Sequence, residues 1–331
     1  MNKAELISID EIKKVINGDN VFVITDTNVK ALYSSVFDGT RHAVIIAGEA
    51  NKNLETVGRL IVEMVEKGCN RKTTVVAVGG GVVGDTAGYV AASYMRGVKW
   101  INVPTTLLAM VDSSIGGKTG VDVGGYKNVC GAFHLPVRVL ICRDWLATLP
   151  DREWLCGCGE MIKHALLDED IFKATLPVID KLVARDMDVT APLMEMSARY
   201  KESIVEADFK EGGLRKRLNV GHTVGHAVEK LDNFRLSHGQ YVALGIVAEA
   251  TMLKNELDIN RYNDVIRLAH AVTTDAFPKL TSEEITEASK ADKKNGSGEI
   301  VIMLPTGNDV KEIALTPDEF KEKLEACIYD L

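Results

Sequence analysis

Three histidines and one glutamate are spaced so that they could bind a metal ion. His222 and His226 are four residues apart, so on a helix their side chains share one face, as zinc ligands often do. His238 follows a short distance along the chain, and Glu160 stands in a predicted helix upstream. One carboxylate and two imidazoles that leave a fourth position open are typical of a catalytic zinc site. Spacing alone selects the His222 and His226 pair, and the alternative is two ordinary helix histidines.

Basic residues accompany the histidines and favour the metal interpretation. Lys201, Arg215 and Arg217 all precede them in the same half of the chain. A metal beside several cations predicts an anionic substrate, because the cations bind its charged oxygens while the metal polarises the reacting group.

A glycine-rich turn within residues 79–85 follows a predicted strand and opens a predicted helix. Glycines let the backbone approach a pyrophosphate, and the free N–H groups of a helix start attract its negative charge. The dinucleotide-binding fingerprint also needs an acidic residue about 20 positions later, and none occurs between Asp85 and Asp112. The turn therefore predicts either a dinucleotide site or only tight packing on a sheet. Asp26, at the end of the first predicted strand, is the candidate ribose partner by position.

A polar segment, residues 104–120, follows the fourth predicted strand. It carries Asp112, Lys118, two serines and several glycines, and Lys127 with Asn128 lies close behind it. Open α/β sheets bind ligands at their strand ends, and a lysine beside glycines suits a phosphate. We expect a functional loop here rather than a solvated surface loop.

Short apolar runs alternate with helical patterns through the first half of the chain. The predicted strands are 21–25, 43–47, 74–78 and 100–103, and the predicted helices are 54–64 and 85–95. This alternation predicts a Rossmann-like α/β domain, residues 1–150, with a mainly parallel sheet. Residues 151–331 are predicted to be mostly α-helical, from patterns at 160–167, 177–185, 192–206 and 239–257, with a hairpin at 299–304 and 310–315. We expect the active site in a cleft between the two domains.

The composition excludes several classes of protein. With 46% hydrophobic and 26% charged residues, the chain is expected to fold rather than remain disordered. Its net charge of −8 argues against a nucleic-acid binder, and no stretch approaches the ~20 apolar residues of a membrane span. Six scattered cysteines without a signal pattern predict reduced thiols and a cytoplasmic location.

Many separate motifs, in order along residues 20–315, resemble those of the 3-dehydroquinate synthase family. They are Gly79 to Asp85, Arg96-Gly97, Val103 to Thr106, Val111 to Thr119, Lys127-Asn128, Gly159 to Lys163, Leu218 to His226 and Ser237 to Gly239. The family belongs to the sugar phosphate cyclases, which are related in fold to glycerol dehydrogenases. The chain departs from the usual pattern in residues 121–127 and at Gln240, where glutamate is common.

The resemblance implies which residues bind NAD, the metal and the substrate. NAD would be held by Asp26, Glu49, Lys52, Gly79, Gly80, Gly81, Val82, Val83, Gly84, Asp85, Thr105, Thr106, Lys118, Lys127 and Thr148. A divalent metal, zinc or cobalt, would be held by Glu160, His222 and His238. The substrate pocket would contain Asp112, Lys118, Asn128, Lys163, Lys201, Arg215, Asn219, His226 and either Lys293 or Lys294. Arg96 would reach the substrate phosphate from the partner subunit of a homodimer.

The reaction implied is the conversion of 3-deoxy-D-arabino-heptulosonate 7-phosphate into 3-dehydroquinate and phosphate, a step of the shikimate pathway to aromatic amino acids. It combines transient oxidation by NAD, β-elimination of phosphate, re-reduction and an intramolecular aldol closure. Another sugar phosphate cyclase is the nearest alternative, and a metal-dependent polyol dehydrogenase or a non-enzymatic NAD-binding regulator are more distant ones. The cations favour a substrate with both carboxylate and phosphate groups.

Overall fold

A computed structural model describes residues 4–210, 212–273, 277–290, 298–307 and 309–328. The chain divides into two compact units, an N-terminal unit of residues 1–149 and a C-terminal unit of residues 150–331. Within the described residues, no helix combines the length and the apolar character needed to cross a membrane.

The N-terminal unit is a twisted α/β layer structure. Its strands are β1 (Glu5–Leu6), β2 (Val21–Asp26), β3 (His42–Ile45), β4 (Thr74–Gly79), β5 (Trp100–Pro104), β6 (Lys118–Val123), β7 (Tyr126–Phe133) and β8 (Arg138–Ile141), and its helices are α1 (Ile9–Ile16), α2 (Thr27–Leu32), α3 (Leu54–Glu66) and α4 (Gly81–Ser93). Six strands form a parallel sheet in the order β1-β8-β5-β4-β2-β3. Because β2 and β4 are nearly continuous apolar runs, they are buried, as strands covered by helices must be. The predicted parallel sheet is confirmed.

The C-terminal unit is mostly helical, as predicted. Its helices are α5 (Asp151–Leu167), α6 (Glu169–Thr175), α7 (Ile179–Val183), α8 (Met187–Ala207), α9 (His222–Leu231), α10 (His238–Met252), α11 (Ile259–Val272), α12 (Ser282–Lys290) and α13 (Pro317–Glu325). Strands β9 (Ile300–Pro305) and β10 (Val310–Leu315) form the expected antiparallel hairpin. Helix α10 is buried from Gly239 to Met252, because its sequence is apolar all round. It packs against α5, α9 and α11 and forms the centre of the unit.

The polar segment 104–120 differs from the single loop that the sequence predicts. It contains a π-helical turn at Ala109–Ser113 and then enters β6, which pairs with β7. The β6–β7 turn is made by Gly124 and Gly125, with φ of 59° and 82°. Paired left-handed residues match the twist of a tight hairpin, so the unusual segment 121–127 is explained by its turn chemistry.

Several helix boundaries also differ from the prediction, since α5 begins at Asp151 rather than Glu160 and α10 ends at Met252 rather than Leu257. Helix α4 begins at Gly81, four residues before the predicted start, because the glycine turn itself enters the helix. Helix α8 begins at Met187 and contains Pro192, where the sequence predicts a start. The proline has no N–H to donate to the carbonyl of Asp188, an exposed residue in the first turn of the helix.

Candidate active site

The C-terminal unit brings Glu160, His222, His226 and His238 into one cluster. The Nε2 atoms of His222 and His238 lie 3.6 and 3.4 Å from Oε1 of Glu160. His226 is close as well, because the three histidines have ligand atoms within 4.8 Å of one another. The cluster therefore contains both the pair selected by spacing and the trio implied by the resemblance.

The distances fit a tetrahedral metal site. Two ligands bound to zinc at 2.0–2.2 Å are about 3.3–3.6 Å apart, and both imidazoles stand at that separation from Glu160. The other oxygen of Glu160 forms an ion pair with Lys163. One oxygen is thus directed to the imidazoles and one to a buried cation.

Each of the two imidazoles is held through its Nδ1 atom, so that Nε2 is the atom available to a metal ion. Nδ1 of His222 lies 3.0 Å from the carbonyl oxygen of Val220, and Nδ1 of His238 lies 3.2 Å from Oε2 of Glu229. Hydrogen bonds of this kind fix the orientation and the tautomer of metal-binding histidines. Glu229 is a residue that the sequence analysis missed, although its position seven residues after His222 on the same helix was a signal.

The electrostatic environment shifts the pKa values of His222 and His238 in opposite directions. Burial and the neighbouring charge of Lys163 hold the pKa of His222 well below its ordinary value, so this ring is neutral. Burial also opposes charge on His238, but Glu160 and Glu229 outweigh it and raise the pKa of His238 to about 9. Two carboxylates around one imidazole create a negative potential that favours a cation at this position.

Close helix crossings bring these side chains together. A Cβ atom on Gly159 would lie 2.2 Å from the carbonyl oxygen of Gly239, so the backbones of α5 and α10 touch beside Glu160 and His238. A Cβ atom on Gly245 would lie 2.0 Å from the carbonyl oxygen of Gly221, so α10 touches the residue before His222 in the same way. Only glycine permits this approach, and each contact stands next to a proposed ligand.

Three predicted anion-binding cations are buried in the same unit. Lys163, Lys201 and Arg215 are between 3% and 6% exposed. Arg215 donates from Nη1 to the carbonyl oxygen of Phe209 at 2.9 Å, and its N–H donates to Oδ2 of Asp208 at 3.0 Å. Buried cations of this kind supply charge-assisted hydrogen bonds to carboxylate or phosphate oxygens.

Asp208 is a second residue that the sequence analysis missed. Besides the N–H of Arg215, it accepts hydrogen bonds from the N–H groups of Gly212 and Gly213, each at 2.8 Å. These backbone donors lower the pKa of Asp208. The aspartate thus folds the turn that presents Arg215, and an Asp followed by a Gly-Gly pair was its sequence signal.

Of the other predicted substrate residues, Asn219 ends the 3₁₀ turn Leu214–Asn219 and is partly exposed, as is His226 on α9. Lys293 and Lys294 lie outside the described residues.

Gln240, where glutamate is common in the family, accepts from the N–H and hydroxyl groups of Ser237 at 3.1 and 2.9 Å. Glutamine serves this capping role as glutamate does, so the start of α10 at His238 is preserved.

In the N-terminal unit, the glycine turn joins β4 to α4. Gly79 pairs with Pro104 across the sheet, and the N–H of Thr105 donates to the carbonyl oxygen of Gly79 at 3.0 Å. A Cβ atom on Gly80 would lie 3.0 Å from Cγ2 of Thr106. Within the described residues, no side chain caps the start of α4, so its N–H groups are available to a phosphate.

Lys52, Asp85 and Asn128 form one polar cluster beside that turn, in which Lys52 is buried, Asp85 is partly exposed and Asn128 is exposed. Nζ of Lys52 lies 2.7 Å from Oδ2 of Asp85 and 2.5 Å from Oδ1 of Asn128, and 4.0 Å from Glu49. Burial would lower the pKa of Lys52, but Asp85 and Glu49 outweigh it and raise the pKa. Asn128 has a φ of 52°, a left-handed conformation that asparagine tolerates. Lys52, a predicted NAD residue, therefore contacts Asn128, a predicted substrate residue.

Two further predicted NAD residues, Asp26 and Thr148, form hydrogen bonds within the N-terminal unit. Asp26 ends β2, and its Oδ1 accepts from the N–H groups of Asn28 and Val29 at 2.8 and 2.9 Å, which caps α2. Thr148 lies 2.7 Å from the hydroxyl of Tyr33. Asp26 therefore has a structural role whether or not it also binds a ribose.

Four other predicted residues lie at turns or strand ends. Asp112 is in the π-helical turn, while Lys118 and Lys127 are exposed at the starts of β6 and β7. Arg96 is exposed, with a left-handed φ of 68°, directly after Met95 at 47°. Two successive non-glycine residues in this conformation are strained, and such strain is often kept for a function.

Comparison with known proteins finds relatives over most of the chain. Residues 42–156 match the family model 3-dehydroquinate synthase N-terminal, and residues 157–295 match 3-dehydroquinate synthase C-terminal. The chain is 39% identical over 329 residues to the 3-dehydroquinate synthase of Alkaliphilus metalliredigens, covering 96% of this chain and 92% of the relative. It is 40% identical over 304 residues to that of Ruminiclostridium cellulolyticum, covering 87% and 84%.

Solved structures with the same fold include two cyclases and a dehydrogenase. A 2-epi-5-epi-valiolone synthase from Streptomyces hygroscopicus, with NAD+ and Zn2+ bound, has a TM-score of 0.86 and 25% identity, covering 100% of this chain and 98% of its own. A 2-deoxy-scyllo-inosose synthase with carbaglucose-6-phosphate, NAD+ and Co2+ has a TM-score of 0.85 and 22% identity, covering 98% and 96%. A probable glycerol dehydrogenase from Sinorhizobium meliloti has a TM-score of 0.68 and 18% identity, covering 100% and 98%.

Proposed function

Because the chain belongs to the 3-dehydroquinate synthase family, we propose that it converts 3-deoxy-D-arabino-heptulosonate 7-phosphate into 3-dehydroquinate and phosphate. The enzyme is a carbon–oxygen lyase that requires NAD and a divalent metal. The observation that carries the proposal is the Glu160, His222 and His238 cluster, whose spacing fits a tetrahedral metal, beside the buried Lys163.

We assign the metal to Glu160, His222 and His238, with zinc or cobalt as the ion. Zn2+ and Co2+ are bound in the two cyclases of the same fold. When bound, the metal polarises a substrate oxygen and NAD reversibly accepts a hydride. His226 is then kept for the substrate, where an imidazole one turn from His222 can contact the leaving phosphate or its proton.

The NAD site is assigned to the N-terminal unit. The glycine turn presents the N–H groups of α4 to the pyrophosphate, with Thr105 and Thr106 beside it. The polar cluster of Lys52 and Asp85 offers a charge and a carboxylate close to the same helix start. Asp26, Glu49, Lys127 and Thr148 complete the assignment.

The buried cations bind the anionic groups of the substrate. Lys163, Lys201 and Arg215 are each too buried to be ordinary surface charges, and a substrate with both a carboxylate and a phosphate accounts for several of them. Asp112, Lys118, Asn128 and Asn219 are assigned to the hydroxyl and phosphate groups. Holding a flexible sugar phosphate in one reactive conformation is the main contribution of these side chains.

We also propose that the enzyme is a cytoplasmic homodimer. All six cysteines are free thiols, as expected in a reducing compartment. Arg96 is exposed in a strained turn, and β7 exposes Tyr126, Val129 and Phe133, as a strand covered by a second copy would. In this arrangement the partner's arginine reaches the substrate phosphate.

A single assay tests the reaction. With substrate, catalytic NAD and added Zn2+ or Co2+, we expect phosphate release to match turnover while the NADH absorbance stays constant. NADH that accumulates in proportion to turnover would instead show a polyol dehydrogenase. Phosphate release that continues unchanged after chelation of the metal would contradict the role of the cluster.

A further inference from the structure

Glu249 is a buried acidic residue in the central helix α10, and the reaction described above does not use it. It is 2% exposed and lies among apolar neighbours. Its Oε2 accepts from the N–H of Gly221 at 2.9 Å, and its Oε1 accepts from the N–H of Val224 at 3.0 Å. These donors belong to the start of α9, which begins at His222. A carboxylate at a helix start is favourable, because the N–H groups there lack intrahelical partners.

The N–H that Glu249 binds belongs to the same peptide group that orients His222. The Val220–Gly221 peptide carries the N–H of Gly221 on one side and the carbonyl of Val220 on the other. That carbonyl oxygen lies 3.0 Å from Nδ1 of His222. Because a peptide group is planar and rigid, holding its N–H also fixes the direction of its carbonyl.

The two proposed histidine ligands are therefore supported in parallel ways. His238 donates directly to a carboxylate, Glu229, at 3.2 Å. His222 donates to a peptide carbonyl whose own N–H donates to a carboxylate, Glu249. Hydrogen bonds linked through one amide polarise each other, so the carboxylate also strengthens the carbonyl as an acceptor.

We infer that Glu249 is a positioning residue for the metal site, acting on His222 through the Val220–Gly221 peptide. This inference rests on the proposed metal ligands. The packing of α10 against this turn maintains the relay, because Gly245 touches the carbonyl of Gly221 and leaves Glu249 one helical turn further along. Partners at this distance from a metal typically change its affinity by about 10–100-fold when they are altered.

The test is Co2+ binding to Glu249→Gln, measured by competition with a chromophoric chelator and by the visible absorption of bound Co2+. Glutamine turns one oxygen into an N–H donor that must face the N–H of Gly221 or Val224, so the turn loses one of its two hydrogen bonds and the negative charge that polarises the peptide. We expect affinity to fall by about 10-fold or more, with a changed Co2+ spectrum. Glu229→Gln provides the comparison for His238.

Thr251→Val is the matched control, because it removes a buried hydrogen bond of the same helix, 2.7 Å to the carbonyl oxygen of Val247, without touching the relay. Its Co2+ affinity and spectrum should equal those of the wild type. If Glu249→Gln does not fold, Glu249→Asp replaces it, since its carboxylate is one methylene too short and should give the same loss.

The outcomes separate this inference from the metal assignment. Wild-type affinity and spectrum in the Glu249 variant would overturn the inference, and so would an equal loss in Thr251→Val. If His222→Ala binds Co2+ as well as the wild type does, the metal assignment itself fails, whatever Glu249 does.

Discussion

The N-terminal unit presents mainly backbone groups to its proposed ligand, whereas the C-terminal unit presents buried side chains. The glycine turn at α4 offers N–H groups at a helix start, and most of its polar neighbours are partly or fully exposed. The metal cluster instead combines charged and polar side chains from α5, α9 and α10, surrounded by apolar packing. Burial strengthens the electrostatic effect of each group and makes each one costly to leave without a partner. We therefore expect substitutions in the C-terminal unit to have the larger effects.

The largest expected effect is that of His222→Ala. Loss of a metal ligand removes the polarising ion, which is worth several kcal/mol, so kcat/KM should fall at least about 1,000-fold. Metal content after dialysis should fall in parallel. His226→Ala is the control, because it should keep the metal and only turn over slowly. A His226 variant without metal, beside a His238→Ala variant that retains it, would favour the spacing-based ligand pair.

Arg215→Ala should have the next largest effect. A charge-assisted hydrogen bond is worth about 1.5–3 kcal/mol, so kcat/KM should fall by about 10-fold or more while NAD affinity stays unchanged. Arg217→Ala is the matched control, because Arg217 forms an exposed pair with Asp309 at 2.9 Å and such pairs contribute little. An equal loss of NAD affinity in the Arg215 variant would show a role in the fold instead.

Gly239→Ala tests the backbone crossing in the C-terminal unit. The added Cβ would lie 2.0 Å from the carbonyl oxygen of Cys156, so α5 and α10 must separate. We expect a loss of about 1–3 kcal/mol in the free energy of unfolding, together with weaker metal binding. Gly58→Ala on α3 has open space around it and should instead stabilise the protein by up to about 1 kcal/mol. Normal metal affinity in the destabilised variant would show that the crossing does not align the ligands.

Gly80→Ala provides the corresponding test in the N-terminal unit. Its Cβ would meet the methyl group of Thr106 at 3.0 Å, which a small shift of that side chain can relieve. NAD affinity should fall by less than about 10-fold, without change in metal content. A loss of metal in this variant would contradict the assignment of NAD and the metal to different units.

The smallest expected effect concerns alkaline pH. Burial raises the pKa of Cys156, Cys158, Tyr200 and Tyr241 to about 12 in the C-terminal unit, and that of Cys142 to about 11 in the N-terminal unit. The folded state thus favours the protonated groups, and this stability is lost as the pH rises from about 9 toward about 12. At pH 10, the loss in the free energy of unfolding, measured with urea, should be about 1 kcal/mol smaller in Cys158→Ala than in the wild type. An unchanged pH dependence would contradict burial of this thiol as its cause.

The same contrast explains how much the sequence could predict. The glycine turn is recognisable because backbone sites need particular residues in one short segment. The cluster of Glu160, His222 and His238 joins distant segments, so spacing alone selected His226, and the resemblance was needed to include His238. Glu229 and Glu249 act through contacts between or along helices that no local pattern encodes. The hairpin at 118–133 was missed because its polar and glycine-rich sequence also suits a loop.

Helices α5, α9 and α10 contact one another through glycines, and these contacts decide which positions of the helices can be substituted. Main-chain atoms touch at Gly159, Gly239, Gly221 and Gly245, so the spacing of the proposed ligands does not depend on any side-chain volume around them. Exposed positions on α5 and α9, such as Arg152 and Lys230, can then accumulate substitutions without moving the ligands. The fold itself is kept at TM-scores of 0.85 and 0.86 in two solved structures with only 22–25% sequence identity to this chain.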